Sequence, residues 1–236
     1  MYGAFANIYD EAMGEYDYNE VMKFLKGKIG PSHSVLEMAC GTGNLTALLE
    51  EKYNVKAFDI SEDMLKVAED KVRDESILSK QDMRDFKYAE KFQNIICFCD
   101  SLNYILKDEE VKKIFVNVYK ALDAGGKFIF DLNTIYNFKN YFGDSVFYED
   151  KDDYFYLWEN FYDMDSNLNY YNLVIFEKKG DLFEKFYEEH VERGYEISEI
   201  ESWLIEAGFK NVEIFDGYTD EKIKDETLRG AFVCYK

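Results

Sequence analysis

The chain has 236 residues, 47% of them apolar and 32% charged, the balance of a globular protein with room for one sizeable α/β core. Its 48 acidic and 28 basic residues give a formal charge of −20, which repels phosphate backbones and anionic lipid and disfavours nucleic acid and membrane as partners. No apolar run approaches the ~18–20 residues of a membrane span, and Met1-Tyr2-Gly3-Ala4-Phe5 lacks a signal pattern, so a cytoplasmic protein is expected.

Along the chain, Val21, Phe24, Leu25 and Ile29 recur at helical spacing and predict a helix over 18–29, ended by Gly30-Pro31. Short apolar runs at 34–38, 55–59, 77–80, 94–99 and 127–132 then alternate with helical stretches at 44–53, 62–73 and 109–122. Such continuous apolar strands separated by amphipathic helices require a parallel sheet covered on both faces, a doubly wound α/β fold. Past residue 144 the period changes to two, at 154–163, 170–178 and 183–193, as in antiparallel hairpins with one wetted face. A helix at 197–207, with Ser198 and Glu201 spaced as a capping box, and strands at 212–215 and 231–235 return to the first pattern. The expected division is 1–144 with 196–236 as the main domain and 145–195 as an antiparallel insertion.

Four cysteines without a Cys-x-x-Cys pair are expected to be buried packing thiols, with no disulfide framework and no metal site. Only His33 and His190 could supply imidazole.

The most informative stretch is Val35 to Thr46, where a strand runs into the turn Cys40-Gly41-Thr42-Gly43 and then a helix. Glycines at 41 and 43 let the backbone bend and approach a ligand at the strand's carboxyl end. Glu37 at the mouth of the turn would repel a pyrophosphate and suit an ammonium. Thr46 stands where a dinucleotide fingerprint has its third glycine, and no Lys-Ser/Thr follows, which excludes a P-loop. Asp59, ending the next strand, is placed either to accept both hydroxyls of a ribose or to cap the following helix. Asp82 and Met83 follow the third strand, and Asp100-Ser101-Leu102-Asn103-Tyr104 ends the fourth.

Glu37-x-Ala39-Cys40-Gly41-Thr42-Gly43, Phe58-Asp59-Ile60-Ser61-x-x-Met64-Leu65, Gln81-Asp82-Met83, the acidic end of strand four and 121–127 together resemble the class I S-adenosylmethionine-dependent methyltransferases. Ala124 departs from that pattern, which often has proline there. The resemblance implies a mostly parallel, seven-stranded, Rossmann-like sheet with S-adenosylmethionine as cofactor. It also implies that Glu37 senses the methionine amino group, and that Ala39, Gly41 and Gly43 line the cofactor with backbone. Asp59 would hold the ribose, Ile60 and Met64 flank the adenine, Asp82 accept its amino group, Met83 offer a backbone contact and Asp100 close the methionine end. Residues 5–13, followed by Tyr16 and Tyr18, are similar to a small-molecule subgroup that includes amino-sugar N-methyltransferases, in which Tyr9 would cover the cofactor. A core tyrosine of a leading helix is the other account of Tyr9.

Methyl transfer from a sulfonium is an in-line displacement in which the protein aligns, desolvates and, if needed, removes a proton. His190 and Asp100 are the catalytic candidates, with Asp131, Tyr104, Arg193 and Tyr195 nearby in the pattern; a hydrogen-bonded rim position is the alternative for His190. The fourth-strand turn lacks the Asn/Asp-Pro-Pro-Tyr of base-modifying amino-methyltransferases. With the acidic surface, that favours a small-molecule amine as acceptor over tRNA, rRNA or protein. The aromatic insertion could roof the acceptor or pair two copies, leaving monomer and homodimer open. An NAD-dependent oxidoreductase and a non-catalytic cofactor-binding module are the competing classes.

Overall fold

The computed structural model describes residues 5–12, 16–30 and 33–236. Pro31 and Met13 therefore lie outside the described residues. The chain begins with helices α1 (Phe5–Ala12) and α2 (Tyr18–Lys28), then alternates β1 (Ser34–Met38), α3 (Asn44–Leu49), β2 (Asn54–Asp59), α4 (Glu62–Glu69), β3 (Leu78–Lys80), β4 (Phe92–Cys97), α5 (Asp108–Ala121) and β5 (Leu122–Asn133). After a short α6 (Ile135–Asn137) come β6 (Val146–Asp150), β7 (Tyr154–Asp163), β8 (Leu168–Lys179) and β9 (Leu182–Arg193), then α7 (Ile197–Ala207), β10 (Asn211–Asp216) and β11 (Arg229–Tyr235).

The main sheet has seven strands in the order β10-β11-β5-β4-β1-β2-β3. All neighbours are parallel except those of β11, which runs antiparallel to both β5 and β10. Strand order reverses between β1 and β4, so the crevice beyond their carboxyl ends is where an open α/β sheet receives a ligand. Helices close both faces over two apolar clusters: Phe115, Phe128, Phe130 and Phe232 lie on one side, and Val21, Leu25, Ile96 and Val233 on the other.

The remaining strands form a separate antiparallel sheet in the order β6-β7-β8-β9. Its inward residues Tyr154, Tyr162, Tyr171 and Ile175 bury against Phe138 and Ile8 of α1. Strand β6 escapes the periodicity reading, because it is an edge whose outward residues Val146 and Tyr148 are 53% and 70% exposed. The predicted capping box on α7 does not form. The helix starts at Ile197, and Glu196 is its cap with no side-chain bond, so Ser198 lies inside the first turn. Ile197 packs on the core, and burying it is what draws the helix start ahead of the serine. Among the described residues, no helix is long and apolar enough to cross a membrane.

Candidate active site

Strands β1 and β2 are paired in parallel with Glu37 beside Ala57 and Met38 beside Phe58, so their carboxyl ends open on the same crevice. Directly after β1 the backbone is left-handed at Ala39 (φ 54°), Gly41 (φ 53°) and Gly43 (φ 77°), a run of turns that reverses the chain into α3. The two glycines act differently. A Cβ on Gly41 would meet open space, whereas one on Gly43 would sit 2.8 Å from the Ala68 Cβ of α4. Gly41 presents bare backbone to the crevice, and Gly43 lets α4 close against the turn.

Asp59 holds this turn. Its Oδ2 accepts from the Gly41 amide at 2.9 Å and its Oδ1 from the Ser61 amide at 2.8 Å. Ser61, not Asp59, is the side-chain cap of α4, accepting from the Met64 amide. Burial raises the Asp59 pKa against these backbone donors. Glu37 is 4% exposed, and its Oε2 accepts from the Thr46 hydroxyl at 2.6 Å. Burial pushes its pKa up to about 8, with Asp59 adding to the rise and Thr46 opposing it. Two carboxyls are thus withheld from water on either side of an exposed stretch of backbone. Buried acids in a cleft mark functional sites.

A cavity of about 400 Å³ opens here, and Tyr9, Glu37, Ala39, Gly41, Asp59, Ile60, Met64, Asp82, Met83 and His190 all line it. Tyr9 and His190, 181 positions apart in sequence, meet around one space. Gly43 and Asp100 are absent from its walls. Asp100 is instead left-handed (φ 51°), and its Oδ1 meets Arg229 at 2.8 Å while its amide donates to Asp131 at 2.8 Å. Asp131 is fully buried and receives Arg229 at 2.9 Å and the Tyr218 hydroxyl. These acids tie the ends of β4, β5 and β11 together and do not line the cavity. Asp82 does line it, but Arg84 grips the carboxylate through three nitrogen–oxygen contacts of 2.6–3.0 Å and lowers its pKa.

His190 is 5% exposed, with Nε2 3.3 Å from Glu188 and its ring edge-on to Tyr104 at 5.9 Å between centroids. It is a wall residue of the cavity and not an exposed rim histidine. Cys40 and Cys99 also line the space. The expectation of four packing thiols therefore fits Cys97 and Cys234, while these two serve as cavity surface that burial keeps neutral.

One feature had no sequence signal. Asp10 of α1 accepts from the Thr42 hydroxyl at 2.6 Å and the Asn44 amide at 2.8 Å, and pairs with Lys71. Lys71 also donates to Asn44 at 2.8 Å. Burial would raise the Asp10 pKa, but these bonds prevail and lower it. The latch clamps α1, and with it Tyr9, across the glycine turn. Segments 7–10 and 42–44 are each legible as motifs, yet nothing local links them to Lys71.

Known proteins share this arrangement. A family model described as a methyltransferase domain matches residues 35–126. An S-adenosylmethionine-dependent methyltransferase from Clostridium acetobutylicum is 33% identical, with a TM-score of 0.85 over 99% of this chain and 98% of that one. The Streptomyces venezuelae dTDP-3-amino-3,4,6-trideoxy-alpha-D-glucopyranose N,N-dimethyltransferase is 28% identical over 46% of each chain. The sugar N-methyltransferase KedS8 from Streptoalloteichus shares the fold at 18% identity, with a TM-score of 0.78 over 98% of this chain and 92% of that one. With a relative above 30% identity along the full length, and with the turn after β1 and the acid ending β2 opening on one cavity, the chain belongs to the S-adenosylmethionine-dependent methyltransferases and takes S-adenosylmethionine as its cofactor.

Proposed function

We propose that the chain methylates a small-molecule amine, with the cofactor held against the turn after β1 and the acceptor admitted beneath the antiparallel sheet. The observation that carries this is the joint lining of one cavity by Glu37, Asp59 and His190. Glu37 and Asp59 fit the two polar ends of a nucleoside that bears an ammonium: a lone buried acid suits the cation, and an acid at a strand end suits paired hydroxyls. When bound, the cofactor supplies an activated methyl group and the driving force for its transfer.

The chain's own residues then have three tasks. Glu37 and Asp59 fix the ligand's ends, with Gly41, Ala39 and Met83 offering backbone and Ile60 and Met64 flanking a flat ring. Tyr9, held by the Asp10 latch, closes one wall and excludes water. His190, carried in by β9 with Glu189 and Val191, stands where an acceptor amine would lose its proton and is the candidate base. Delivery of these three residues by β9 supports the segment 145–195 as an acceptor cover. Asp100, tied to Arg229, is better suited to positioning Ser101 and Tyr104, which reach the cavity, than to proton transfer.

Calorimetric titration should give binding of S-adenosylmethionine or S-adenosylhomocysteine and none of NAD. A radiolabelled-methyl screen over amines, amino sugars, catechols and tRNA should then label amines. Label found only in tRNA would refute the small-molecule reading, and cofactor binding with no labelled acceptor would favour a non-catalytic module.

A further inference from the structure

Charge around the cavity as a whole narrows the substrate class, on the premise that the proposed methyl transfer holds. The charged lining, His190 aside, consists of Glu37, Asp59, Asp82 and Glu189 with Arg84 as the lone guanidinium. Arg84 is committed, gripping Asp82 and meeting Glu110 at 3.4 Å. Most other basic groups of the surrounding elements are committed too, Lys113 of α5, whose charge reaches Asp82, being an exception. Arg193 meets Asp108 at 2.6 Å and the Leu106 carbonyl at 2.8 Å, and Arg229 lies between Asp100 and Asp131. Lys71 serves the Asp10 latch, and Lys107 faces Glu110 at 3.7 Å. The residues outside the description, 1–4, 13–15 and 31–32, contain no lysine or arginine.

Phosphate and diphosphate groups are recognised by free guanidinium or ammonium groups, or by backbone amides at a helix N-terminus. Two amides of the turn are already engaged: the Gly41 amide donates to Asp59 and the Gly43 amide to the Cys40 carbonyl. The remaining walls of the cavity include Tyr9, Tyr18, Phe98, Tyr104, Ile105, Leu106 and Val191, an apolar and aromatic surface suited to the body of an amine. Glu189 is exposed on β9, where the Tyr187 hydroxyl donates to it at 3.1 Å.

We infer that the acceptor is a compact amine with an apolar body and no phosphate or diphosphate, and that Glu189 draws its ammonium to the cavity. The nucleoside diphosphate in the name of the Streptomyces relative is accordingly not carried over to this chain.

The test begins with S-adenosylhomocysteine binding by calorimetry, whose failure would refute the methyltransferase site itself. With that ligand saturating, benzylamine and dTDP are titrated separately at low salt. Benzylamine should bind at least about 10-fold more tightly than dTDP, and Glu189→Lys, an exposed change, should shrink or invert that ratio. In the transfer assay, a 3-amino sugar methyl glycoside should accept label in preference to its dTDP ester. Tighter binding of dTDP, preferred methylation of the ester, or absence of benzylamine binding to a protein that holds S-adenosylhomocysteine would each overturn the inference. An unchanged ratio in Glu189→Lys would remove Glu189 from it.

Discussion

Replacing Glu37 with glutamine isolates the energetics of one buried acid. Glu37 is folded with a pKa of about 8, chiefly through burial, against 4.5 for the free side chain. Between those values the unfolded chain has already released a proton that the folded protein keeps. Stability is therefore greatest below the lower value and falls as pH rises, until the folded group also ionises. At about 1.4 kcal/mol per unit, the full window is worth roughly 3–5 kcal/mol, and the part between about pH 6 and 8.5 roughly 2–3 kcal/mol. For a chain of this length each kcal/mol moves Tm by about 2–4 °C. Glu37→Gln mimics the protonated acid and cannot titrate. Its Tm should coincide with that of the wild type below about pH 4.5 and exceed it by roughly 4–8 °C at about pH 6 and roughly 6–20 °C at about pH 8.5. Because the comparison is between two proteins at each pH, titrating groups not coupled to Glu37 cancel. With S-adenosylhomocysteine the order reverses, since an ammonium beside Glu37 favours the carboxylate. The variant should lose about 10- to 100-fold in affinity, the range for one charge-assisted hydrogen bond. Differential scanning calorimetry across pH and titration calorimetry read the two effects. Parallel Tm-against-pH curves would refute the buried-acid argument, and undiminished affinity would refute contact with the ligand.

The other perturbations separate building the site from using it. Asp59→Ala should weaken S-adenosylhomocysteine by about 10- to 100-fold and also lower Tm, since the carboxylate accepts from Gly41 and Ser61 as well; a lower Tm with unchanged affinity would leave it a purely structural residue. Gly43→Ala should cost at least about 1–3 kcal/mol, from a left-handed φ and a Cβ pressed on Ala68. Gly41→Ala carries the same left-handed strain but no steric clash, so it should cost less stability than Gly43→Ala while lowering ligand affinity, and chemical denaturation beside calorimetry distinguishes the pair. His190→Ala should slow methyl transfer with cofactor affinity intact; an unchanged rate would reduce it to a wall residue.

Much of the fold is legible because its signals are local. Period-two alternation delimits β7 at Tyr154–Asp163, and the Gly208 stop delimits α7 at Ile197–Ala207, as the structure has them. Helix ends were overrun where a turn continues the helical spacing. α3 stops at Leu49, and the Lys52 and Tyr53 amides return to the Leu49 carbonyl, a turn that apolar periodicity cannot tell from another helical turn. α4 stops at Glu69 in the same way, with Lys71 and Val72 bonded to Ala68. What stayed illegible was side-chain direction decided by distant partners. Asp100 and Asp82 have the right types at the right strand ends. Arg229, from the last strand, turns the first away, and Arg84, two residues on, engages the second.

The same dependence on distant partners explains how an insertion late in the chain can build part of a site laid down by its first half. Asn103, fully buried in the loop after β4, accepts from the Asn133 amide at 3.0 Å and donates to the Asn133 carbonyl at 3.1 Å and the Arg193 carbonyl at 2.8 Å. One side chain thereby binds the end of β5, where the chain leaves the main sheet, to the end of β9, where it returns. Tyr195 adds a bond to the Ile105 carbonyl, and Arg193 one to Leu106. The loop 101–106 is therefore wall and hinge-pin together: Ser101, Tyr104, Ile105 and Leu106 line the cavity while their backbone fixes the strand that carries Glu189 and His190. A buried amide satisfied from both units leaves no slack, because withdrawing β9 would strand donors and acceptors that have no water to replace them. The position of His190 over the cavity is thus set by the main sheet, to which β9 is tied at its end.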